Sequence, residues 1–199
     1  DGTYGRLREL QKTHPQIRIL RHRVNSGESA GELTGFRHAR GKMLVTIDAD
    51  LQNDPADIPS MLARLETCDV VCGMRRKRED SWLKKVSSRV ANWFRNAMLH
   101  DSIHDAGCTY RAMRRRAVEI ELLPFKGMHR FLPTIWKLHG FRVEEISVNH
   151  RPRFKGVSKY GLWNRLGVGL SDIKALRWYR KRRLNAPRLS ESDSDLSPR

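Results

Sequence analysis

The 199-residue chain is 39% hydrophobic, enough for one domain with a sizeable core, and this excludes a chain that is disordered throughout. Its 39 Lys plus Arg against 22 Asp plus Glu give a net charge of +17, which points to a polyanionic partner: nucleic acid, an anionic membrane face or a phosphorylated substrate. No run reaches the roughly 18 apolar residues of a membrane span, no charged-then-apolar leader opens the chain, and Cys68, Cys72 and Cys108 lack CxxC spacing, so spanning helices and a CxxC metal or redox site are not expected.

In chain order, the apolar runs "IRIL" (Ile17–Leu20), "MLVTI" (Met43–Ile47) and "DVVCG" (Asp69–Gly73) predict strands separated by helices, the alternation of βαβ units and a mostly parallel sheet. The first helix falls in "ESAGELTGFRHARG", with Ala30, Leu33, Phe36 or Arg37 and Arg40 at helical spacing and Gly41 as its stop. The second opens on Asp54 as N-cap with Pro55 next, and Ile58, Met61, Leu62 and Leu65 make its apolar stripe. After Gly73 the basic stretch "MRRKREDSWLKK" opens a helix bearing Trp82, Val86, Trp93, Phe94 and Ala97. "FRVEEISVNHRP" (Phe141–Pro152) reads as a late strand, and the segment from Trp163 to Trp178 as an amphipathic helix with a basic end. The Ser- and Pro-rich end predicts a disordered tail, so the expected organisation is a catalytic-type α/β domain over 1–161, the helical region 162–183 and a tail over 184–199.

Asp48 and Asp50 fall where the Met43–Ile47 strand should end, the place where ligands of a parallel sheet sit. Their i, i+2 spacing sends both carboxylates to one side if the strand continues through them, and two close carboxylates repel unless a proton or cation lies between. A hard divalent ion, Mg²⁺ or Mn²⁺, that keeps sites for a diphosphate resolves the conflict. An EF-hand does not fit, because Asn53 and Pro59 stand at its Gly and Glu positions, and the DxD of Asp193 and Asp195 in the tail is a chance match.

With its surroundings, "NSGESAGELTGFRHARGKMLVTIDADLQNDP" resembles the core of family 2 glycosyltransferases, in particular the branch of dolichyl-phosphate mannose synthase and bacterial polyprenyl-phosphate enzymes, through Asn25, Gly27, Ala39, Gly41, Asp48, Ala49, Asp50, Leu51, Gln52 and Pro55. The likeness continues through "HDAGCTYRAMRR", "GMHRFLP" and "NHRPRFKGVSKYGLWNRL". It implies a GT-A fold, and Asp1-Gly2-Thr3 matches the end of an acidic family segment whose first strand would lie upstream. It also implies transfer of a hexose from a nucleotide-diphosphate sugar, GDP-mannose or a UDP-sugar, to a polyprenyl or dolichyl phosphate, with Mg²⁺ or Mn²⁺ as cofactor. By the same resemblance Asp50 and Asp105 are catalytic; Asn25, Gly27, Asp48, Arg153 and Lys159 bind the donor; Arg75, Lys84 and Ser88 hold the acceptor phosphate; and Asp48, Asp50 and Gln52 ligate the metal. A phosphate acceptor is largely ionised at pH 7, so Asp105 is expected to orient rather than deprotonate it. The expected setting is the cytoplasmic side of an anionic membrane surface, with the Trp163–Trp178 helix either at the interface or packed against the core. A soluble saccharide acceptor is the alternative. No RNP, zinc-finger or helix-turn-helix signature accompanies the charge, so a nucleic-acid partner is not expected.

Overall fold

The computed structural model describes residues 2–75, 95–99, 101–120, 122, 124–151 and 162–182. They form helices α1 (Thr3–Thr13), α2 (Glu28–His38), α3 (Ile58–Arg64), α4 (Leu132–Leu138) and α5 (Leu162–Arg182), and strands β1 (Met43–Thr46), β2 (Val70–Arg75), β3 (Arg111–Arg114) and β4 (Val143–Val148). Residues 95–99 are also helical. The chain separates into two compact units, Asp1–Ser158 and Lys159–Arg199, and α5 belongs to the second.

The sheet order is β1-β3-β2-β4. β2 and β4 pair in parallel, whereas β3 is inserted antiparallel between β1 and β2, with Val45 and Val71 both opposite Ala112. Three strands thus run one way, in keeping with a mostly parallel sheet, but β1 and β2 are not direct neighbours. α2 ends at His38 rather than at Gly41, and its buried stripe is Ser29, Leu33 and Phe36, so Arg40 lies beyond the helix. Ile17–Leu20 is not a strand: Ile17 and Ile19 alternate in burial with Arg18 and Leu20, yet no ladder forms there, and a strand needs a hydrogen-bonded neighbour. α1 was not signalled by apolar periodicity, and it buries no residue.

Alternation along the strands divides two packing layers. On one face Met61 and Leu65 of α3 meet Cys68, Val71, Cys108, Tyr110, Ala112 and Val148, with Ile58 and Leu62 partly buried at the margin. Burying that set removes apolar surface worth about 25 cal/mol per Å² from water. On the other face Arg111 reaches α2 through Glu32 and lies over the ring of Trp136 in α4, whose indole N–H donates to Ala117 O at 2.7 Å. The three cysteines are free and buried. Desolvation pushes the Cys72 thiol up to about 12 and raises those of Cys68 and Cys108, so they are packing residues rather than nucleophiles.

Candidate active site

Because β3 runs against its neighbours, its amino end lies beside the carboxyl ends of β1, β2 and β4. Four chain segments therefore meet at one edge of the sheet. The segment after β1 carries Asp48 and Asp50, which do not continue the strand: the chain turns at Ala49 and Asp50. Asp48 Oδ2 accepts from Thr109 Oγ1 at 2.7 Å, and Thr46 Oγ1 donates to Thr109 O at 2.6 Å, so the residue before Tyr110 clasps both sides of the strand end. Asp50 Oδ1 accepts the Gln52 N–H at 3.1 Å, closing a turn around Leu51, whose φ of 64° lies in the left-handed region. That conformation costs a non-glycine residue about 1–2 kcal/mol, and the flanking bonds hold it.

The rest of "DADLQNDP" is fastened to the end of β4. Gln52 O accepts from Arg151 N at 2.8 Å and Gln52 Nε2 donates to Arg151 O at 3.3 Å, while Asn53 bridges to His150. Asp54 acts as the cap predicted for it, accepting Ala56 N–H at 3.1 Å over a single 3₁₀ turn, Pro55–Asp57, that precedes α3. That backbone bond and the Arg151 guanidinium at 2.5 Å hold the Asp54 carboxyl below its ordinary range. Asp57 takes both the N–H and the side-chain amide of Asn149, at 2.7 and 2.9 Å.

Arg75 and Asp105, assigned to different roles by sequence, are brought together. Arg75 Nε and NH2 each lie 2.7 Å from an Asp105 oxygen, a bidentate pair that is 16% and 8% exposed. Gly73, two residues before Arg75 on β2, allows close packing beside the pair. A Cβ on Gly73 would stand 2.9 Å from Val148 Cγ2 and 3.1 Å from Tyr110 O. Asn25 and Gly27 form the entry to α2: Asn25 Oδ1 accepts Gly27 N–H at 3.1 Å, and Gly27 has the positive φ, 81°, that the turn requires. Lys84, Ser88, Arg153 and Lys159 lie outside the described residues, as does most of the segment Trp82–Ala97 expected to be helical.

A group that sequence reasoning did not assemble lies beside this edge. Arg111, fully buried, donates to Glu32 Oε1 at 3.1 Å and to His129 O at 2.7 Å. Ser29 Oγ lies 2.9 Å from His129 Nδ1 and receives Gly127 N–H at 3.2 Å, while His129 Nε2 faces Glu28 Oε2 at 3.5 Å. Burial pushes the Glu32 carboxyl up to about 7, against the attraction of Arg111 and with the help of Glu28 and Asp48. Burial and then the Asp48 charge raise Glu28. Burial, Arg130 and Arg111 lower His129 to about 4, so it packs as a neutral ring at a helix start. The signal available in sequence was Glu28 and Glu32 at i, i+4, with Glu32 flanking the buried stripe of α2.

The paired carboxylates and arginines sit at one edge of a mixed α/β sheet of the GT-A type. The Glycosyl transferase family 2 model matches residues 1–120, and the chain belongs to that family. It is 37% identical over 171 residues to dodecaprenyl-phosphate galacturonate synthase of Rhizobium johnstonii, covering 82% of this chain and 50% of that protein. It is 36% identical over 147 residues to undecaprenyl-phosphate 4-deoxy-4-formamido-L-arabinose transferase of Aeromonas hydrophila, covering 72% and 44%. The chain thus spans half or less of these relatives. Among solved structures, glucosyl-3-phosphoglycerate synthase of Mycobacterium tuberculosis with Mn²⁺, UDP-glucose and phosphoglyceric acid superposes with a TM-score of 0.56 at 14% identity, over 85% of this chain and 58% of that one. The same enzyme with Mg²⁺ and UDP also gives 0.56, at 16% identity and the same coverage. These likenesses establish the fold.

Proposed function

We propose that this chain is the catalytic domain of an inverting glycosyltransferase that moves a hexose from a nucleotide-diphosphate sugar to a polyprenyl phosphate at a membrane surface. The observation that carries the reading is the braced Asp48–Asp50 turn sharing one sheet edge with the Arg75–Asp105 pair. The two curated relatives are named for transfer to polyprenyl phosphates, which favours a lipid over a soluble acceptor.

The donor set fits a hard divalent ion. Among the described residues no group of three or more His, Cys, Asp or Glu side chains forms a protein-only cage. Mg²⁺ and Mn²⁺ accept one or two carboxylates and complete their shells with substrate phosphates and water. Asp48 and Asp50 would hold it, and Gln52, whose amide nitrogen is committed to Arg151, would offer Oε1. When bound, the ion supplies charge stabilisation to the departing nucleoside diphosphate. The chain's own residues set the geometry: the Thr109 hydroxyl fixes Asp48, and the Asp50–Gln52 turn fixes the loop. Asp105, held by Arg75, orients an acceptor phosphate that needs no strong base. An oxygen of the acceptor phosphate bonds to the anomeric carbon from the face opposite the nucleoside diphosphate as the carbon–oxygen bond to that diphosphate breaks, which inverts the centre. Asn25, Gly27, Arg153 and Lys159 are read as the donor side, and Arg75, Lys84 and Ser88 as the acceptor-phosphate side.

Among the described residues no helix is long and apolar enough to cross a membrane. α5 carries Lys174, Arg177, Arg180, Lys181 and Arg182 beside a 66% exposed Trp178, a composition suited to an anionic interface. The test is sugar transfer by the full-length protein to polyprenyl phosphate in anionic vesicles, across UDP- and GDP-sugars, with Mg²⁺ or Mn²⁺. Asp50→Ala is expected to lower kcat about 100-fold or more. Full activity in Asp50→Ala, or after chelation, refutes the metal role; transfer to soluble saccharides alone refutes the lipid acceptor.

A further inference from the structure

Ile146 and Val148 of β4 pack into the apolar cluster beside α3, so alternation turns Glu145 to the opposite face of the sheet. A strand position 11% exposed has no packing need for a carboxylate. Its partners explain it. Glu145 Oε1 accepts the N–H groups of both His104 and Asp105 at 3.0 Å; Oε2 accepts the His104 N–H at 3.0 Å and lies 2.8 Å from His104 Nδ1. Two consecutive backbone donors and an imidazole thus satisfy one nearly buried charge, and the loop before β3 is tied to β4 at the residue whose side chain faces the site.

The other end of that residue is tied elsewhere. The Asp105 carboxylate is gripped by Nε and NH2 of Arg75, the last residue of β2, and its oxygen Oδ2 also lies 3.3 Å from Arg75 N. β2 and β4 are paired in parallel, with Cys72 opposite Glu145 and Arg75 opposite Val148. Asp105 is therefore anchored at its amide from one strand and at its carboxylate from the neighbouring strand. Removing the Arg75 bonds releases the charge, whereas removing Glu145 releases only the backbone and lets the carboxylate pivot about Arg75.

We infer that Glu145 is a positioning residue for Asp105, holding the His104–Asp105 backbone so that the Asp105 carboxylate meets the acceptor in one orientation. The inference rests on Asp105 being the acceptor-orienting group of the proposed transferase. It assigns Glu145 no contact with substrate and no proton transfer.

The experiment uses the full-length protein with Glu145→Gln, which keeps side-chain length but has one acceptor oxygen and no charge. Hydrogen–deuterium exchange at the His104 and Asp105 amides is expected to rise about tenfold or more while β4 amides stay protected. The kcat for sugar transfer is expected to fall about tenfold with the donor KM unchanged, the signature of a displaced acceptor group. Added to Asp105→Asn, Glu145→Gln is expected to change kcat by less than about twofold, because its effect passes through the carboxylate already removed. Wild-type exchange at both amides in Glu145→Gln, or losses that multiply in the double variant, overturns the assignment. Where the Gln variant does not fold, Glu145→Asp, which keeps the charge but is one methylene too short to serve both amides, is held to the same exchange pattern. A wild-type protein that exchanges normally but transfers no sugar fails the functional reading, and the exchange arms then decide the positioning claim alone.

Discussion

Replacing Glu32 by Gln should change how stability depends on pH, by an amount and with a sign that the structure sets. The Glu32 carboxyl lies at about 7 instead of 4.5, and this value is already net of the attraction of Arg111. The folded state therefore holds a proton that the unfolded state has released throughout the window between 4.5 and 7. Stability contributed by the neutral carboxyl is complete below pH 4.5 and is lost as pH rises through 7. At about 1.4 kcal/mol per tenfold in proton affinity, the whole change is about 3 kcal/mol. Gln keeps an oxygen for Arg111 but does not titrate. Glu32 Oε2 has no hydrogen-bond partner among the described residues, so the substitution removes no bond there.

His129 opposes this slope. Its ring is held at about 4 instead of 6.5, so the stability it contributes is present above 6.5 and is lost as pH falls through 4. Over the shared window the two groups work against each other, and the raised Glu28 carboxyl adds a loss of stability above pH 4.5 in the same sense as Glu32. Urea unfolding followed by circular dichroism from pH 4 to 8 separates them. Glu32→Gln should become more stable as pH rises from 4 to 6.5 and should gain about 3 kcal/mol on the wild type between pH 4.5 and 8. His129→Gln should show the reverse slope. A Glu32→Gln curve parallel to the wild type across this window would refute the raised carboxyl, and with it the placement of an acidic wall beside Asp48.

Two further outcomes follow from contacts at the site. Gly73→Ala places a methyl 2.9 Å from Val148 Cγ2 and 3.1 Å from a backbone oxygen and should cost about 1–3 kcal/mol in urea unfolding; Gly107→Ala, 3.4 Å from the movable Arg75 NH2, should cost less than half as much, and equal losses would contradict the packing. Thr109→Val keeps the shape of the side chain but removes the 2.7 Å bond to Asp48, so Mn²⁺ affinity measured by calorimetry with UDP present should fall about three- to tenfold with unfolding unchanged; wild-type affinity would show that Thr109 does not set Asp48.

The parts that were readable in sequence are those where burial and local order coincide. β1 and β2 are apolar runs, β4 lies in the late strand expected over Phe141–Pro152, α3 follows a capped turn and has a stripe, and Asp48 and Asp50 follow a strand as expected. β3 was hidden because "RAMR" begins and ends in arginine: Arg111 is buried by pairing with Glu32 rather than by being apolar, and Arg114 is half-buried through bonds to the carbonyls of Leu65 and Cys68. The Arg75–Asp105 pair joins residues 30 apart, and the Glu32–Arg111 pair residues 79 apart, so no local spacing could signal either. Conversely, Ile17–Leu20 has the residues of a strand but no ladder, because pairing is decided by a neighbour and not by the segment itself.

Among the described residues, several arginines are committed to holding the fold together. At the end of the sheet away from Asp48, Arg115 donates to Ala39 O and Gly41 O at 2.6–2.9 Å, Arg18 to His38 O at 2.6 Å, and Arg116 to Asp69 at 2.7 Å. Arg115 cross-links the chain entering β1 to the turn after β3, Arg116 ties that turn to the residue before β2, and Arg18 ties the chain after α1 to the end of α2, so these forks are committed to carbonyls and one carboxylate. At the opposite end the cations close on acids: Arg75 on Asp105, Arg151 on Asp54 and Arg111 on Glu32. Among the described residues, these arginines fasten the edges of the sheet. Of the pairs at the carboxyl edge, Arg75–Asp105 is the one whose acid is also held by its backbone N–H, through Glu145 of β4.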